Sequence, residues 1–594
     1  MAEYLSPGVY VEEFDSGATP MEGVGTSTAG FVGLAQRGPV QGVPQLVTNY
    51  ADFGRIYGGH LSANEFGDYR FLSYAVESFF VNGGARCYVM RVAPSDAKAA
   101  SGSVAGLSFT AKNPGLWGDD IRISFAPASK AKTQVLEIQS DPDGKKYRVK
   151  NSVGFNAGDV VAFTDGDKTI YNRVKKSQDN IIVFEKEFPD TIVDTNLLPS
   201  KVITTCEFSL TVKYDDLVEN YENVSFNIDA PNYVEKMTAK SDLIVAAFTQ
   251  AGVTALAPAA GGDDKKAKKD APAQAPAAAG GIVAPMDLLG VDGLSLKGGS
   301  NGSVANVTAA DFMGEDRGAG HRTGIQAFVD NDVVSILAAP GVTDPNVQLT
   351  LVSQCENLAS RFAVLDIPRD ARKVEDVIAH RDIFDSEYAA LYHPWIVTYD
   401  TLDKKNIAIP PSGAVMGIYA RSDNTRGVHK APANEVVRNC VGLDCQFNKG
   451  EQDILNPKGV NLIRTFPGQG IRVWGARTVS SNGLWKYVNV RRLFIYIEES
   501  IKANTSWVVF EPNDTALWVR VQRTISVFLT GMWREGSLMG NSPEEAFFVN
   551  IGRETMSQDD IDNGRLICVI GVAPVKPAEF VIFRLTQKTS EAGE

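Results

Sequence analysis

Apolar and polar positions follow two different rhythms along this chain, and the change between them predicts its organisation. Near the start, short apolar runs at 29–35 and 87–92 have the composition of buried strands. Between them, the segment 71–80 has apolar residues at helical spacing, and the glycines at 83–84 stop it. This succession of strand, helix and strand predicts an α/β core over about 28–98.

The same alternation returns after about residue 320 and predicts further βαβ units, which build parallel sheets. The last third of the chain adds two amphipathic helices and a final strand. The predicted elements, in order, are strand 333–340, helix 347–361, strand 362–366, helix 374–384, strand 389–392, helices 489–504 and 514–533, and strand 579–586.

A different texture separates the two α/β stretches. From about 104 to 240 strand signals dominate, divided by Asp-Gly, Asn-Pro-Gly and Trp-Gly-Asp turns. We therefore expect an inserted domain, mainly β, that is a small barrel or sandwich. Residues 257–281 are rich in Ala, Pro and Lys, and such a segment cannot bury enough apolar surface to order itself. It predicts a mobile surface loop.

One strand signal lies where no neighbour in sequence can pair with it. After Ser6-Pro7-Gly8 comes a short β-type run. An unpaired strand leaves backbone donors and acceptors open, which natural proteins usually avoid. This run is therefore expected to pair either with a distant part of its own chain or with another molecule. Its residues are Val9, Tyr10, Val11, Glu12 and Glu13.

Charge and cysteine content narrow the classes of protein. The chain has 594 residues and a formal net charge of −13, which argues against a general nucleic-acid binder because such a protein needs a basic face. No signal peptide and no membrane-spanning run is expected, and the six scattered cysteines are expected to be free thiols in a reducing cytoplasm.

Sequence patterns for catalysis are weak. The run Gly-Gly-Ser-Asn-Gly around Ser300 matches a nucleophile elbow in letters, with His321 or His393 as a base, but the flanking residues favour a glycine-rich turn. The phosphate-binding loop and the zinc-protease motif do not occur, so we expect no enzyme, no cofactor and no metal. Four carboxylates at strand ends and helix starts are expected to cap helices or face solvent: Asp366, Asp370, Asp376 and Asp382.

Blocks of sequence spread in order over nearly the whole chain resemble the contractile phage tail sheath family. That family is shared by contractile phage tails, tailocins and phage-tail-like contractile injection systems. Type VI secretion divides its sheath between two proteins, so a single chain with both ends favours the phage-tail-like branch. The blocks are 6–14, 26–39, 82–92, 113–120, 392–395, 409–413, 417–423, 427–434, 491–501, 510–514 and 570–580.

The resemblance implies an α/β sheath core with an inserted mainly-β outer domain and extended strand arms at both termini. In this family the arms complete a small sheet in neighbouring subunits. The C-terminal arm would use Glu579, Phe580, Val581, Ile582, Phe583 and Arg584. The implied domains are arm 1–27, first core part 28–103, insertion 104–298, second α/β part 299–455, C-terminal core domain 456–576 and arm 577–594.

The resemblance also implies a mechanical function. Subunits would polymerise as stacked rings around an inner tube, in a metastable extended form, and contract when a baseplate triggers them. Tube contact is expected at Arg491, Arg492 and Lys502, next to the helix at 489–504. Further partners are baseplate and terminal cap proteins, with no nucleic acid and no membrane insertion. Assembly would occur in the cytoplasm, and the particle could be released from the cell.

Three other interpretations stay open from the sequence. A hydrolase would use Ser300 as its nucleophile. A binding module would use the insertion 104–298 to recognise a cell surface, which is compatible with a sheath. A different self-assembling protein, such as a capsid or surface-layer subunit, would form shells or sheets instead of tubes.

Overall fold

The computed structural model describes residues 21–141, 144–165, 168–186, 201–248, 285–290 and 293–584. The chain divides into two compact units. The core unit comprises Met1–Ala35, Val40–Val92 and Thr308–Glu594, and the insert unit comprises Gln36–Pro39 and Ala93–Val307. Because the predicted insertion was 104–298, the unit begins earlier and ends later than the change in sequence texture. The low-complexity segment 257–281 and the strand signal at 9–13 lie outside the described residues.

The strands are short, as expected for a globular α/β protein. In chain order they are β1 (Ala29–Leu34), β2 (Gln45–Val47), β3 (Cys87–Val92), β4 (Ser101–Val104), β5 (Leu107–Ala111), β6 (Arg122–Ala128), β7 (Lys132–Asp141), β8 (Gly144–Val149), β9 (Val160–Asp165), β10 (Lys168–Gln178), β11 (Ile181–Phe184), β12 (Val202–Thr205), β13 (Glu207–Tyr214), β14 (Leu217–Val224), β15 (Ile244–Phe248), β16 (Leu294–Ser295), β17 (Ile336–Ala338), β18 (Phe362–Asp366), β19 (Ala389–His393), β20 (Ile396–Asp400), β21 (Lys405–Ile409), β22 (Glu435–Val436), β23 (Gly442–Leu443), β24 (Val460–Phe466), β25 (Gly470–Val473), β26 (Phe547–Ile551) and β27 (Cys568–Val572).

The helices belong mostly to the core unit. They are α1 (Tyr50–Tyr57), α2 (Ala63–Phe66), α3 (Leu72–Asn82), α4 (Val234–Thr238), α5 (Pro285–Leu289), α6 (Ala309–Met313), α7 (Pro345–Leu358), α8 (Val374–Arg381), α9 (Ser412–Arg426), α10 (Lys449–Leu455), α11 (Val488–Asn504), α12 (Thr515–Arg534), α13 (Pro543–Ala546) and α14 (Gln558–Asp562).

A nine-stranded sheet forms the centre of the core unit, in the order β2-β3-β1-β17-β18-β19-β24-β25-β22. The six strands from β3 to β24 run parallel. These strands are almost wholly buried, since a parallel sheet is covered on both faces and its strands have continuous apolar sequences. The predicted parallel α/β sheet is therefore present, and because β24 pairs with β19 it extends across the predicted boundary at 455/456.

Helices α3 and α9 pack closely against each other in this core, and two glycines on α9 allow it. A Cβ atom at Gly413 would lie 2.3 Å from the backbone oxygen of Ala75, and one at Gly417 would lie 2.4 Å from that of Phe79. Real Cβ atoms do not approach so closely, so only glycine fits at either position.

The insert unit is built almost entirely of strands. Six of them close into a barrel in the order β10-β11-β8-β7-β12-β9. The others form two small sheets, β14-β13-β6-β16 and β15-β5-β4, around a separate apolar cluster that includes Trp117 and Phe208. The sequence left a barrel or a sandwich open, and the described unit contains a barrel together with a pair of small sheets.

The C-terminal part of the core unit combines two long helices with a hairpin. Helices α11 and α12 share an apolar cluster with the hairpin β26–β27. The predicted final strand at 579–586 does not form in the single chain, because the described residues 577–584 have no strand structure and the rest lies outside. In the described part of the chain, none of the helices is long and apolar enough to cross a membrane.

Candidate subunit interface

The segment 577–584, which we call the C-terminal arm segment, exposes an unusual run of apolar side chains. Phe580, Val581, Ile582 and Phe583 are 73%, 68%, 79% and 84% exposed. Arg584, the last described residue, is exposed as well. Contiguous apolar surface of this kind marks an interaction site in a soluble protein, since burial of large apolar side chains is favourable.

Glu579 is in a different environment from the four residues that follow it. Its carboxylate accepts two hydrogen bonds from the buried guanidinium of Arg477, at 2.6 and 2.8 Å. Asn456 and the hydroxyl of Tyr487 donate to it at 2.8 and 3.1 Å. Burial acts to raise the pKa of Glu579, but these hydrogen bonds outweigh burial and lower it. Glu579 therefore binds the core unit, and the exposed segment begins at Phe580.

The hairpin β26–β27 is a two-stranded sheet of the core unit. Its two strands pair in register with each other and, among the described residues, with no third strand. One face packs on α12, where Val549 is buried and its carbonyl accepts a hydrogen bond from Gln522. The other face exposes Phe548 and Val569. A two-stranded sheet is marginal alone, and its open edges can pair with further strands.

The predicted N-terminal arm, residues 1–27, is described from residue 21, where it follows α11. Its predicted strand residues 9–13 lie outside the described residues, but residues 21–26 lie against this helix. Asn504 exchanges two hydrogen bonds with the backbone of Glu22, and Ser500 accepts one from the backbone of Val24. At Thr26 the chain enters the core, where Arg492 donates to the carbonyl of Thr26.

Arg491 and Arg492, which were expected to face a tube, are buried and have partners within the chain. Arg492 forms a two-point ion pair with Asp423, at 2.6 and 2.9 Å. Arg491 donates to Glu387 and Glu498, and lies over the ring of Trp485 at 4.2 Å. The buried guanidinium groups are therefore not accessible for a tube contact in this chain.

Lys502, the third of these residues, lies on the surface. Its side chain is 69% exposed and has a weak ion pair with Glu499 on the same helix. The predicted tube contact remains a prediction, and of the three residues it fits Lys502.

The outward face of α12 is a surface that sequence reasoning did not select. Val519 and Val527 are exposed on it, together with Arg523 and Arg534. Neither of these two arginines has an ion pair within the described chain. The signal was in the sequence, since the buried stripe of this amphipathic helix leaves these four positions outside it.

Ser300 and His393 of the hydrolase candidate each have hydrogen-bond partners within their own unit. Ser300 belongs to the insert unit, bonds Lys98 through its backbone, and accepts a hydrogen bond from the backbone of Gly302 on its hydroxyl. His393 belongs to the core unit, where it is buried and bonds the carbonyl of Ala371. Asp366 caps α9 as expected of a strand-end carboxylate, because it accepts hydrogen bonds from the backbone and hydroxyl of Ser412.

The described cysteines are free thiols, two of them buried and four partly exposed. Among the described residues there is also no group of three or more His, Cys, Asp or Glu side chains that could hold a metal ion.

Comparison with known families decides the identity. The model of the phage tail sheath protein central domain matches residues 306–479, and that of the phage tail sheath C-terminal domain matches residues 480–588. Over residues 306–588, the chain belongs to the contractile tail sheath family. It is a structural subunit of a contractile tail sheath, and the matched residues contain the arm segment, the hairpin and helices α11 and α12.

Individual sheath proteins agree with this assignment. A prophage major tail sheath protein of Pseudomonas aeruginosa is 25% identical over 289 residues, which are 47% of this chain and 72% of that protein. The tail sheath protein of Escherichia phage P2 is 24% identical over 289 residues, 47% of this chain and 70% of its own. These relatives are structural sheath proteins.

Solved structures share the fold at low sequence identity. The contracted sheath complex of an extracellular contractile injection system, PVC, aligns over all of both chains with a TM-score of 0.51 and 21% identity. A sheath tail protein from Listeria innocua aligns over 93% of this chain and 96% of its own, with a TM-score of 0.51 and 10% identity.

Proposed function

We propose that this subunit polymerises head to tail into helical stacked rings around an inner tube, and that the sheath contracts from a metastable extended state to drive the tube through a target envelope. The observation that carries the proposal is a complementary pair on one subunit. Among the described residues, the exposed apolar segment after Glu579 pairs with no strand, and the hairpin β26–β27 pairs with no third strand.

The proposed contact is strand addition. Residues 580–584 of one subunit and 9–13 of another add to the hairpin β26–β27 of a neighbour. Backbone hydrogen bonds hold the strands, and alternate side chains set the register. Since donor and acceptor are different surfaces, the contact is heterologous and does not close between two subunits. Repetition of such a contact builds an open helical filament.

Contraction requires no chemistry in this proposal. The energy of contraction comes from the free-energy difference between two packings of the same subunits. The sheath therefore changes toward the packing that buries more surface. The subunit is accordingly not an enzyme and uses no cofactor. The strand contacts persist through the change while the contacts between core units are exchanged.

The tube contact is proposed for the outward face of α12, together with Lys502. Arg523 and Arg534 supply positive charge, and Val519 and Val527 supply apolar surface. An acidic tube surface would match this face. Contacts of exposed charges are weak, which suits a contact that must break when the sheath slides along the tube.

The remaining proposed partners are those of a contractile tail or tail-like particle. Baseplate and cap proteins bind the two ends of the sheath, and nucleic acid is not a partner. Assembly takes place in the cytoplasm, and the finished phage tail or tail-like particle reaches the outside when the cell releases it.

Electron microscopy of the purified protein tests the proposal. We expect hollow ridged tubes from the full chain, and single subunits or short rings from a chain that lacks residues 580–594. A chain that lacks residues 1–20 is the second variant. Tubes from the full chain and from both truncated chains would contradict the proposed strand contacts, and shells or flat sheets from the full chain would contradict the helical sheath.

A further inference from the structure

We propose that the core unit anchors the two arms unequally. The C-terminal arm is fixed at Glu579, whereas residues 21–25, which we call the strap, can peel from α11 and lengthen the N-terminal arm. This inference rests on the proposed function in one respect, namely that the arms connect subunits. The anchors themselves belong to the single chain and are measured without assembly.

The C-terminal anchor is an ion pair between Glu579 and Arg477. Arg477 is almost wholly buried and meets Glu579 with two parallel hydrogen bonds. Asn456 and Tyr487 fill the remaining acceptor positions of the carboxylate. Charge-assisted forks of this kind are among the strongest side-chain contacts, and loss of the carboxylate would leave a buried guanidinium without its counter-charge. The arm is therefore fixed one residue before its exposed apolar run.

The strap is held by neutral hydrogen bonds and by the partly buried Met21, which packs against the apolar cluster of α11 and α12. The backbone of Glu22 donates to Asn504 at 3.3 Å and accepts from it at 2.8 Å, in an exposed position. The backbone of Val24 donates to Ser500 at 3.2 Å. Each such bond contributes little net free energy because water replaces it when the strap lifts. The strap is consequently the weaker of the two attachments.

One side of the strap, at Val24 and Gly25, borders a pocket. A cavity of about 270 Å³ lies beside it, lined by Val24, Gly25, Arg86, Tyr496 and Glu499 among others. A gap of this size forfeits the dispersion contacts that would otherwise hold the segment down. Gly23 lies close to Tyr496, because a Cβ there would be 1.9 Å from the hydroxyl oxygen, so a side chain at residue 23 requires Tyr496 to move.

The strap ends before Thr26, which two hydrogen bonds hold to the core unit. Thr26 donates its hydroxyl to Asp423 at 2.7 Å, and Arg492 donates to its carbonyl at 2.9 Å, so this residue belongs to the buried ion pair. Peeling would stop there and free residues 21–25. Five residues reach at most about 18 Å at about 3.3–3.6 Å each. The N-terminal arm can therefore extend when neighbouring subunits move, while the C-terminal arm keeps its exit point.

Hydrogen exchange on the full chain tests both anchors. The parent should protect the peptide 21–26 relative to the same peptide free in solution. In the double variant Ser500→Ala/Asn504→Ala we expect the exchange rate of the peptide 21–26 to rise about fivefold or more, because the loss of one neutral hydrogen bond has an effect of this size. The exchange of the peptide 577–584 should not change. In Glu579→Gln we expect faster exchange of the peptide 577–584 and unchanged exchange of the peptide 21–26. Thr530→Ala, which loses only a bond within α12, is the control and should change neither peptide.

Two further variants test the same two anchors through different substitutions. Gly23→Val should release the strap by steric conflict with Tyr496 and reproduce the double variant. Tyr487→Phe removes one bond to Glu579 and should give a smaller effect at 577–584 than Glu579→Gln. Unprotected exchange of 21–26 in the parent, or unchanged exchange of 577–584 in Glu579→Gln, would overturn the inference.

Assembled sheaths test the consequence. Ser500→Ala/Asn504→Ala sheaths should form and contract as the parent does, and Glu579→Gln sheaths should separate into short pieces on contraction. Failure of the strap variant to contract, or intact contracted Glu579→Gln sheaths, would contradict the unequal roles. If the chain without residues 1–20 forms normal tubes, the proposed N-terminal contact fails, while the exchange results still decide the anchors.

Discussion

The charged side chain of Arg492 is only 3% exposed, and it pairs with Asp423, whose side chain is 4% exposed. Removing one member of such a pair leaves a buried charge without compensation, which costs about 3–5 kcal/mol. We expect Asp423→Ala to lower the free energy of unfolding by that amount, measured by urea titration of the core-unit transition. The pair Asp423→Leu/Arg492→Met should lose less, because neither charge then remains buried.

A surface ion pair of the same unit serves as the matched control for that measurement. Arg520 and Glu511 are both about half exposed and meet at 3.1 Å. Because solvent screens such a pair, Glu511→Ala should cost about 1 kcal/mol or less. Equal losses in Glu511→Ala and Asp423→Ala would show that burial does not decide the contribution of these charges.

Asp366 makes part of the stability depend on pH. Burial raises its pKa from 3.8 to about 6, although Gly341 and Ser412 donate hydrogen bonds to it and act in the opposite direction. Since the folded state holds this proton more tightly than the unfolded chain, the contribution is full below about pH 4 and is lost as the pH rises through 6. It amounts to about 3 kcal/mol at about 1.4 kcal/mol per pKa unit.

Asp366→Asn cannot titrate and should lack that component. We expect the free energy of unfolding of the parent, relative to the variant, to fall between pH 4 and pH 6.5. Urea titrations at a series of pH values measure the difference. A difference that stays constant over this range would mean that Asp366 is ionised at all these pH values.

The C-terminal arm segment predicts a positional effect of proline. In an added strand, alternate backbone N–H groups bond the acceptor, and proline removes one of them. One of the two variants Val581→Pro and Ile582→Pro should therefore abolish tube formation while the other is tolerated. Both should fold as the parent does by circular dichroism, since both side chains are exposed. Normal tubes from both variants would contradict pairing through this segment.

Helix α12 predicts a charge effect on tube binding. Arg523→Glu/Arg534→Glu should weaken co-sedimentation of the sheath with its inner tube, most strongly at low salt because screening already weakens the parent at high salt. Arg565→Glu is the control, as Arg565 is similarly exposed in the same unit but pairs with Asp559 and Asp560. Binding that is unchanged in the double variant would place the tube contact elsewhere.

Helices were well predicted because their periodicity is a local property. The two long helices expected at 489–504 and 514–533 are observed as Val488–Asn504 and Thr515–Arg534. Burial of charge is not local. Asp423 lies 69 positions from Arg492, and Glu387 lies 104 positions from Arg491, so no local pattern indicated that these arginines would be neutralised inside the fold. Closure of the barrel was likewise open, since it depends on which distant strands meet.

The candidate interface was predicted in part. The apolar run 580–583 was visible in the sequence, and it is exposed in the structure. The role of Glu579 was not, because an acidic residue next to a strand pattern has the same appearance whether it pairs in a sheet or binds a buried arginine. The acceptor hairpin β26–β27 was also missed, as its strands lie 16 residues apart with helix α14 between them.

The division of the whole chain into two units predicts which part the sheath requires. None of the nine strands of the core sheet comes from residues 93–307, and the arm segment, the hairpin and both long helices also belong to the core unit. We expect a chain in which a short Gly/Ser linker replaces residues 93–307 to fold and to form tubes, observed by electron microscopy. The purified insert unit is the control and should remain monomeric. Tubes that form only with the insert present would mean that the polymer contact includes this unit, and the proposed strand contacts would then be insufficient for assembly.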